Sequence, residues 1–107
     1  MEINQYEIFW VNLDPVIGRE MKKTRPCVIL SPNEMNTYLG TIIIAPLTST
    51  IRNYPTRVKM LLNNKTGMIV LDQIKTIDKA RLKNKIGKLN TVTISLVKQV
   101  IEEMLVK

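Results

Sequence analysis

Arg25 is the residue whose setting points most directly to chemistry, because it stands before a proline at the start of a short apolar run. A proline ring disfavours helical geometry in the preceding residue, so the Arg-Pro pair favours extended backbone. The run from Cys27 to Leu30 ends at Ser31 and Pro32 and is typical of a core strand. We therefore predict that the guanidinium is held at the mouth of a buried strand. Its planar donor fork matches a phosphate or a carboxylate there.

Two residue counts narrow the chemistry further. The chain contains no histidine, which excludes a catalytic pair of imidazoles. It contains one cysteine, Cys27, which cannot form a disulfide within the chain. Because Cys27 lies in an apolar run, we interpret it as a small buried hydrophobic residue in a protein from a reducing compartment.

The chain is strongly basic, with 16 Lys and Arg against nine Asp and Glu, a formal charge of +7 and a pI near 9.8. Such a balance favours a polyanionic partner. The simplest interpretation is a solvated basic surface, and the more specific one is that loops bring several basic groups to one face. These groups are Arg19, Lys22, Lys23 and Arg25, then Arg52, Arg57 and Lys59, then Lys75, Lys79, Arg81, Lys83, Lys85 and Lys88.

The length and the hydropathy pattern predict one soluble domain spanning residues 1–107. The N-terminus has no basic segment followed by an apolar segment, and no apolar run approaches the roughly 20 residues of a membrane span. We therefore expect a cytoplasmic protein without membrane attachment.

Periodicity predicts a mainly β fold, a small and strongly bent sheet with one C-terminal helix. Pro46 is expected to end the third strand, Ser31 to cap a helical turn, and Thr91 or Thr93 to cap the final helix. That helix is indicated by the spacing of Ile94, Val97, Ile101, Met104 and Leu105. The predicted strands span 6–13, 26–30, 41–45, 56–60, 68–74 and 86–89, with a helical turn over 32–37 and a turn over 63–67.

Six segments together resemble, in order and approximate spacing, the PemK/MazF family of toxin endoribonucleases. They are Trp10 to Pro15, Gly18 to Glu20, Thr24 to Pro26, Leu30 to Pro32, Pro46 to Ser49 and Asp72 to Asp78. The resemblance implies an SH3-like small β-barrel with a C-terminal α-helix, a homodimer and a cognate antitoxin as inhibitory partner. It also implies sequence-specific cleavage of single-stranded RNA without a metal or another cofactor, as part of a toxin-antitoxin system.

The resemblance assigns catalysis to Arg25 and Thr48. Metal-independent cleavage uses the neighbouring 2′-hydroxyl as nucleophile and leaves a 2′,3′-cyclic phosphate and a 5′-hydroxyl. Arg25 is suited to stabilising the transition state because it can donate two hydrogen bonds to phosphoryl oxygens. The family also suggests Arg25 as general acid, although a guanidinium gives up its proton reluctantly. Thr48 matches the family's catalytic hydroxyl, and without the resemblance it would be interpreted as a turn residue.

Five further residues are expected to bind substrate. Ser49 adjoins Thr48, and Arg19 and Glu20 lie in the loop that we expect to read the RNA. Glu20 could pair with Arg25 or accept a hydrogen bond from a base, or it could be a solvated carboxylate. Asp72 and Gln73 match a family pair linked to base activation or nucleotide binding. They could equally fasten a neighbouring loop.

Two other functions are compatible with the sequence. A gyrase-inhibiting toxin of similar fold would act by binding a protein, but such toxins end in Trp-Gly-Ile, whereas this chain ends in Met-Leu-Val-Lys. A basic SH3-like module that binds nucleic acid without cleaving it would use Arg25 and Thr48 for affinity alone.

Overall fold

The computed structural model describes residues 2–13 and 23–107 and contains, within them, one curled antiparallel sheet with a C-terminal helix. The mainly β fold class with a C-terminal helix is thereby confirmed. In the sheet, β6 pairs with β3, and the remaining strands run in the order β4-β5-β3-β2-β1-β7. The elements are β1 Glu7–Asn12, β2 Thr24–Ile29, α1 Asn33–Tyr38, β3 Thr41–Thr48, β4 Arg57–Leu62, β5 Lys65–Val70, β6 Lys75–Asp78, β7 Leu82–Lys88 and α2 Thr91–Ile101.

Strand β3 is the centre of the sheet and continues through Pro46, contrary to the prediction that this proline ends it. One edge of β3 pairs with β2, where Pro46 lies opposite Cys27. The other edge pairs with β6 up to Ile44 and with β5 from Leu47 onward. Pro46 lies between these two ladders, so its missing N–H costs little there. The strand can therefore cross from one part of the curled sheet to the other.

The two faces of the sheet cover two separate apolar clusters. The first contains Phe9, Val11, Cys27, Ile29, Ile42, Ile44 and neighbouring residues. The second lies under α2 and contains Ile8, Val28, Ala45, Val58, Ile69, Leu71, Val97 and neighbouring residues. Because side chains alternate between the faces of a strand, one strand such as β1 or β2 contributes to both clusters. This double burial fixes the register of the strands that reach the site described below.

The residues that were predicted to cap the two helices do not cap them. The side chain of Asn90 accepts a hydrogen bond from the Thr93 backbone N–H at 2.8 Å and caps α2. Ser31 does not cap α1, because its hydroxyl accepts from the Ile43 N–H and donates to the Asn36 side chain. The α-helix ends at Ile101, and the chain continues as a short π-helical turn over Glu102–Val106. Leu105 lies in this turn, is 65% exposed and is not part of the buried face of α2.

Several strand boundaries also differ from the predictions, and the last strand begins at Leu82 and not at residue 86. The turn between β4 and β5 needs two residues, Asn63 and Asn64, so Lys65 to Gly67 already belong to β5. At its other end β5 stops at Val70, and the chain makes a 3₁₀ turn over Leu71–Gln73. The Leu71 N–H donates to the Thr56 carbonyl, which turns the chain out of the ladder. Strand β6 follows and was missed, because only four residues pair with β3.

Across the described parts of the chain, no helix has both the length and the apolar character needed to cross a membrane.

Candidate functional site

Arg25 and Thr48 are brought together by the register of two neighbouring strands. Cys27 pairs with Pro46 in the antiparallel ladder between β2 and β3. This is the last pair of that ladder, and beyond it Arg25, two residues back along β2, and Thr48, two residues forward along β3, lie at the same end of the two strands. Both residues line one open cavity of about 550 Å³.

The cavity is formed by the ends of β1, β2 and β3 and by the β4–β5 hairpin. Its lining combines a mainly apolar wall with a set of hydroxyl, amide and cationic groups, an arrangement suited to an organic ligand with charge at one end. The described residues that line it are Trp10, Lys23, Thr24, Arg25, Pro26, Leu47, Thr48, Ser49, Met60, Leu62, Asn63, Lys65, Thr66 and Gly67.

The charged side chains among the described residues that line the cavity all have the same sign. Lys23, Arg25 and Lys65 contribute three cations, and no carboxylate lies among the described lining residues. A cleft lined by one sign of charge concentrates ions of the opposite sign. The described part of the cavity is therefore suited to a phosphate or another anion.

The Thr48 hydroxyl is oriented by its own loop. The backbone N–H of Thr50 donates to Thr48 Oγ1 at 3.2 Å, so this oxygen acts as an acceptor and its proton is directed elsewhere. Strand β5 passes close beside it, since a Cβ on Gly67 would lie 3.1 Å from the Thr48 carbonyl oxygen. The glycine thus permits a tight approach of the two backbones next to the cavity.

Trp10 is a lining residue that sequence reasoning did not assign to the site. Phe9 and Trp10 are neighbours in β1, and Phe9 points into the core with 1% exposure, whereas Trp10 is 36% exposed and faces the cavity. The signal available in the sequence was alternation, because only one of two consecutive strand residues faces the same core. An aromatic face beside cations can stack on a base. Lys23, Asn63, Lys65 and Thr66 were also missed as lining residues.

Cys27 adjoins Arg25 but takes no part in the lining. It is fully buried, as predicted. Burial raises the pKa of its thiol to about 12, although the positive charges of Arg25 and Lys75 act in the opposite direction. The thiol is therefore protonated at neutral pH and unsuited to act as a nucleophile.

Asp72 lies outside the cavity, in the 3₁₀ turn after β5. Its carboxylate accepts hydrogen bonds from Arg57 Nε at 3.2 Å, from Arg57 Nη2 at 3.3 Å and from the Thr56 hydroxyl at 3.0 Å. The Arg57 guanidinium also lies 4.8 Å from the centre of the Tyr54 ring. These contacts fasten the loop that follows Thr48 to the turn after β5. The geometry favours the interpretation of Asp72 as a residue that ties down a neighbouring loop.

The pKa of the Asp72 carboxyl is set by its burial and by these hydrogen-bond partners. Partial burial acts to raise the pKa of the carboxyl, but hydrogen bonds from Arg57 and Thr56 outweigh it and lower the pKa. Gln73, which completes the predicted pair, is half-buried at the end of the same turn. Neither residue lines the cavity of Arg25 or a second cavity of about 280 Å³ beside Leu13, Lys75 and Arg81. Their role in substrate binding stays a prediction.

Arg19 and Glu20 lie outside the described residues, and so does most of the loop expected to read the substrate. The last part of that loop is described: Lys23, with φ of 68°, lines the cavity directly before β2. No group of three or more Cys, Asp or Glu side chains within the described segments could hold a metal ion.

Comparison with known proteins places this geometry in a family. Residues 4–105 match the family model described as PemK-like, MazF-like toxin of type II toxin-antitoxin system. MazF from Deinococcus radiodurans superimposes with a TM-score of 0.87 at 22% identity, over 98% of this chain and 97% of that one. The Mycobacterium tuberculosis toxin MazF-mt6 gives a TM-score of 0.78 at 25% identity, over 91% of this chain and 93% of that one.

A third relative is a mycobacterial endoribonuclease in complex with its cognate antitoxin, with a TM-score of 0.82 at 23% identity over 96% of this chain and 94% of that one. The three structures share the curled sheet and the C-terminal helix of this chain. Together with the family match over nearly the whole sequence, they show that the chain belongs to the PemK-like, MazF-like toxins of type II toxin-antitoxin systems.

Proposed function

We propose that the chain is a sequence-specific endoribonuclease toxin that cleaves single-stranded RNA without a metal ion. The single observation that carries this proposal is the meeting of Arg25 and Thr48 in one cationic cavity. The family match supports it, and so do relatives named as endoribonucleases. The net charge of +7 is of the sign required to bind the phosphates of RNA.

The proposed reaction begins with attack of a ribose 2′-oxygen on the adjacent phosphorus. A bond forms between this oxygen and phosphorus, and the bond from phosphorus to the 5′-oxygen of the next nucleotide breaks. The products are a 2′,3′-cyclic phosphate and a 5′-hydroxyl. The 2′-oxygen loses a proton and the 5′-oxygen gains one, so the step needs no added reactant.

Arg25 and Thr48 stabilise the charge that develops on the phosphoryl oxygens. The guanidinium offers two parallel donors, and the Thr48 hydroxyl, with its oxygen occupied by the Thr50 N–H, offers a third. Preorganised donors of this kind account for about 10² to 10³ in rate. Because a guanidinium gives up its proton reluctantly, we assign Arg25 to charge stabilisation. Ser49, also at the cavity, is assigned to substrate binding.

The described lining of the cavity holds no carboxylate that could accept the 2′-hydroxyl proton. Of the two carboxylates expected to bind substrate, Asp72 is paired with Arg57, so we propose Glu20 for this role. The variant Glu20→Gln tests this proposal. In the parent, kcat/KM should fall as the pH drops below the pKa of the base, and in the variant this fall should disappear. An unchanged acidic limb of the pH profile would contradict it.

The proposed partners rest on the family match and on complexes of relatives. Relatives from Deinococcus radiodurans form MazE–MazF complexes, and the mycobacterial relative is bound to its cognate antitoxin. We propose that this chain forms a homodimer in the cytoplasm and is neutralised by its own antitoxin. An acidic segment of that antitoxin would complement the cavity and compete with RNA for Arg25.

The test of the activity is incubation of the purified protein with a long single-stranded RNA in EDTA, followed by mapping of the new ends by primer extension. Discrete sites with 5′-hydroxyl ends are expected. The matched control is Arg25→Lys, which keeps the charge and removes the donor fork. Intact RNA in the presence of folded protein, tested over many sequences, would overturn the proposal and favour a protein-binding or RNA-binding toxin without catalysis.

A further inference from the structure

The tip of the β4–β5 hairpin reaches the cavity and has an unusual backbone. Leu62 and Lys65 form the last pair of the ladder, so Asn63 and Asn64 alone make the turn. Their φ angles are 51° and 65°, which places two consecutive non-glycine residues in the left-handed region. A two-residue hairpin turn with positive φ at both positions matches the right-handed twist of the strands, and asparagine tolerates this conformation better than most residues.

The turn therefore holds Asn63 at a defined place on the rim of the cavity. The hairpin has little freedom to shift, because β5 approaches the Thr48 carbonyl closely at Gly67. Asn63 lines the cavity together with Arg25 and Thr48, whereas its neighbour Asn64 does not. The turn thus contains one asparagine that lines the cavity, Asn63, and one that does not, Asn64, which can serve as its control.

The chemistry of the lining singles out Asn63. Lys23 and Lys65 could contact phosphates, and contacts of that kind carry no direct sequence information. Asn63 is the one residue among the described lining residues whose side chain carries a donor and an acceptor in a fixed plane. Such an amide can pair with the donor and acceptor on the edge of a nucleobase. Trp10 supplies an aromatic face in the same cavity, on which a base can stack.

We propose that Asn63 is a specificity-determining residue, which hydrogen-bonds the edge of one nucleobase stacked on Trp10 while the adjacent phosphate lies at Arg25. This inference rests on the proposed function and adds to it a second site of sequence reading, besides the loop that contains Glu20. Under this proposal, the β4–β5 hairpin recognises the base at one position of the cleaved RNA sequence.

The test compares Asn63→Gly with Asn64→Gly. Glycine adopts positive φ without strain, so both variants keep the turn, and only the first removes the amide of a residue that lines the cavity. Each protein is given a randomised RNA library, and the cleaved sequences are read. Asn63→Gly is expected to reduce discrimination at one position by about 10-fold, and Asn64→Gly to leave it unchanged. Equal preferences in both variants and the parent would overturn the inference.

Asn63→Asp provides a second variant, since aspartate also tolerates this conformation and replaces the amide donor by a carboxylate. We expect it to change the preferred base at the same position. A change at a different position, or at none, would contradict the assignment.

A binding measurement separates this inference from the proposed function. Trp10 is the only tryptophan of the chain, so its fluorescence reports on the cavity. Short 2′-O-methyl oligonucleotides of varied sequence cannot supply the attacking hydroxyl, and they are titrated against the parent and both glycine variants. The parent should show base-dependent quenching that Asn63→Gly loses and Asn64→Gly retains, even if no RNA is cleaved. Quenching without base dependence in the parent would overturn the inference while leaving the proposed activity intact.

Discussion

Two polar residues at or just beyond the ends of strands in the same curled sheet, Thr48 and Asp72, have different surroundings. Thr48 ends β3 and lines a cavity with Arg25, and its hydroxyl is held by a single backbone N–H. Asp72 follows β5, and its carboxylate is already occupied by Arg57 and Thr56. A polar group with remaining hydrogen-bonding capacity in a cavity can bind a ligand, whereas one whose capacity is used internally stabilises the fold. We call the surroundings of Arg25 and Thr48 the proposed ligand-binding side, and the surroundings of Arg57 and Asp72 the loop-fastening side.

Substitutions of Arg25 and Arg57 are expected to give the largest difference in cleavage rate between the two regions. Arg25→Lys should lower the rate of RNA cleavage by about 10²-fold, because the charge remains but the paired donors at the phosphoryl group are lost. Arg57→Lys is the matched control and should retain cleavage within about 3-fold, while the ion pair with Asp72 weakens. Single-turnover cleavage of one defined oligonucleotide measures both. Equal losses in the two variants would remove the distinction between the regions.

Thr48→Val tests the hydroxyl on the ligand-binding side. The substitution keeps the shape of the side chain and removes its donor, and we expect cleavage to fall by about 10-fold or more. Thr48→Ser should retain most of the rate, since it keeps the oxygen that accepts from the Thr50 N–H. A valine variant as active as the parent would show that this hydroxyl does not touch the phosphate.

Asp72→Asn tests the loop-fastening side. The free energy of unfolding should fall by about 1 kcal/mol, because the partly exposed ion pair with Arg57 is lost while the amide can still accept one hydrogen bond. Denaturant unfolding measures this, and the cleavage rate of the same variant distinguishes the two interpretations of Asp72. A large loss of cleavage at unchanged stability would favour the role in substrate binding that the family resemblance implies.

The smallest expected effect is a pH dependence of stability that arises from Glu7. Burial acts to raise the pKa of this carboxyl, but hydrogen bonds from Lys85 and Asn4 outweigh it, and the pKa is lowered from 4.5. A lowered pKa in the folded state means that the stabilisation is present above about pH 4.5 and is lost as the pH falls further. The unfolding free energy of Glu7→Gln should therefore vary less with pH in the acidic range than that of the parent. Parallel curves would contradict this.

The sequence was sufficient for the parts of the molecule that depend on local patterns. Alternating and continuous apolar runs located β1, β2 and much of β3 to β5, and the helical spacing of Val97 and Ile101 located α2. Arg25 could be placed because the Arg-Pro pair and the apolar run together specify a strand. The burial of Cys27 followed from the same run.

What the sequence could not supply was the three-dimensional pairing of distant segments. The ion pair between Arg57 and Asp72 joins residues 15 positions apart, and no local pattern distinguishes this carboxylate from one that binds substrate. Strand β6 depends on pairing with β3, which outweighs its own weak propensity. The exposure of Trp10 at the cavity and the arrival of Asn63 there require the register of β1 and the turn between β4 and β5.

The most direct test of the ligand-binding side uses an RNA oligonucleotide with one mapped cleavage site and a second copy in which a single 2′-deoxy sugar precedes the scissile phosphate. Cleavage is measured in EDTA, and Trp10 fluorescence reports binding of each copy. We predict that both copies bind with similar affinity and that only the all-ribose copy is cleaved, to a 2′,3′-cyclic phosphate. Cleavage of the deoxy-substituted copy at the same phosphate would contradict attack by the 2′-hydroxyl and the catalytic roles given to Arg25 and Thr48.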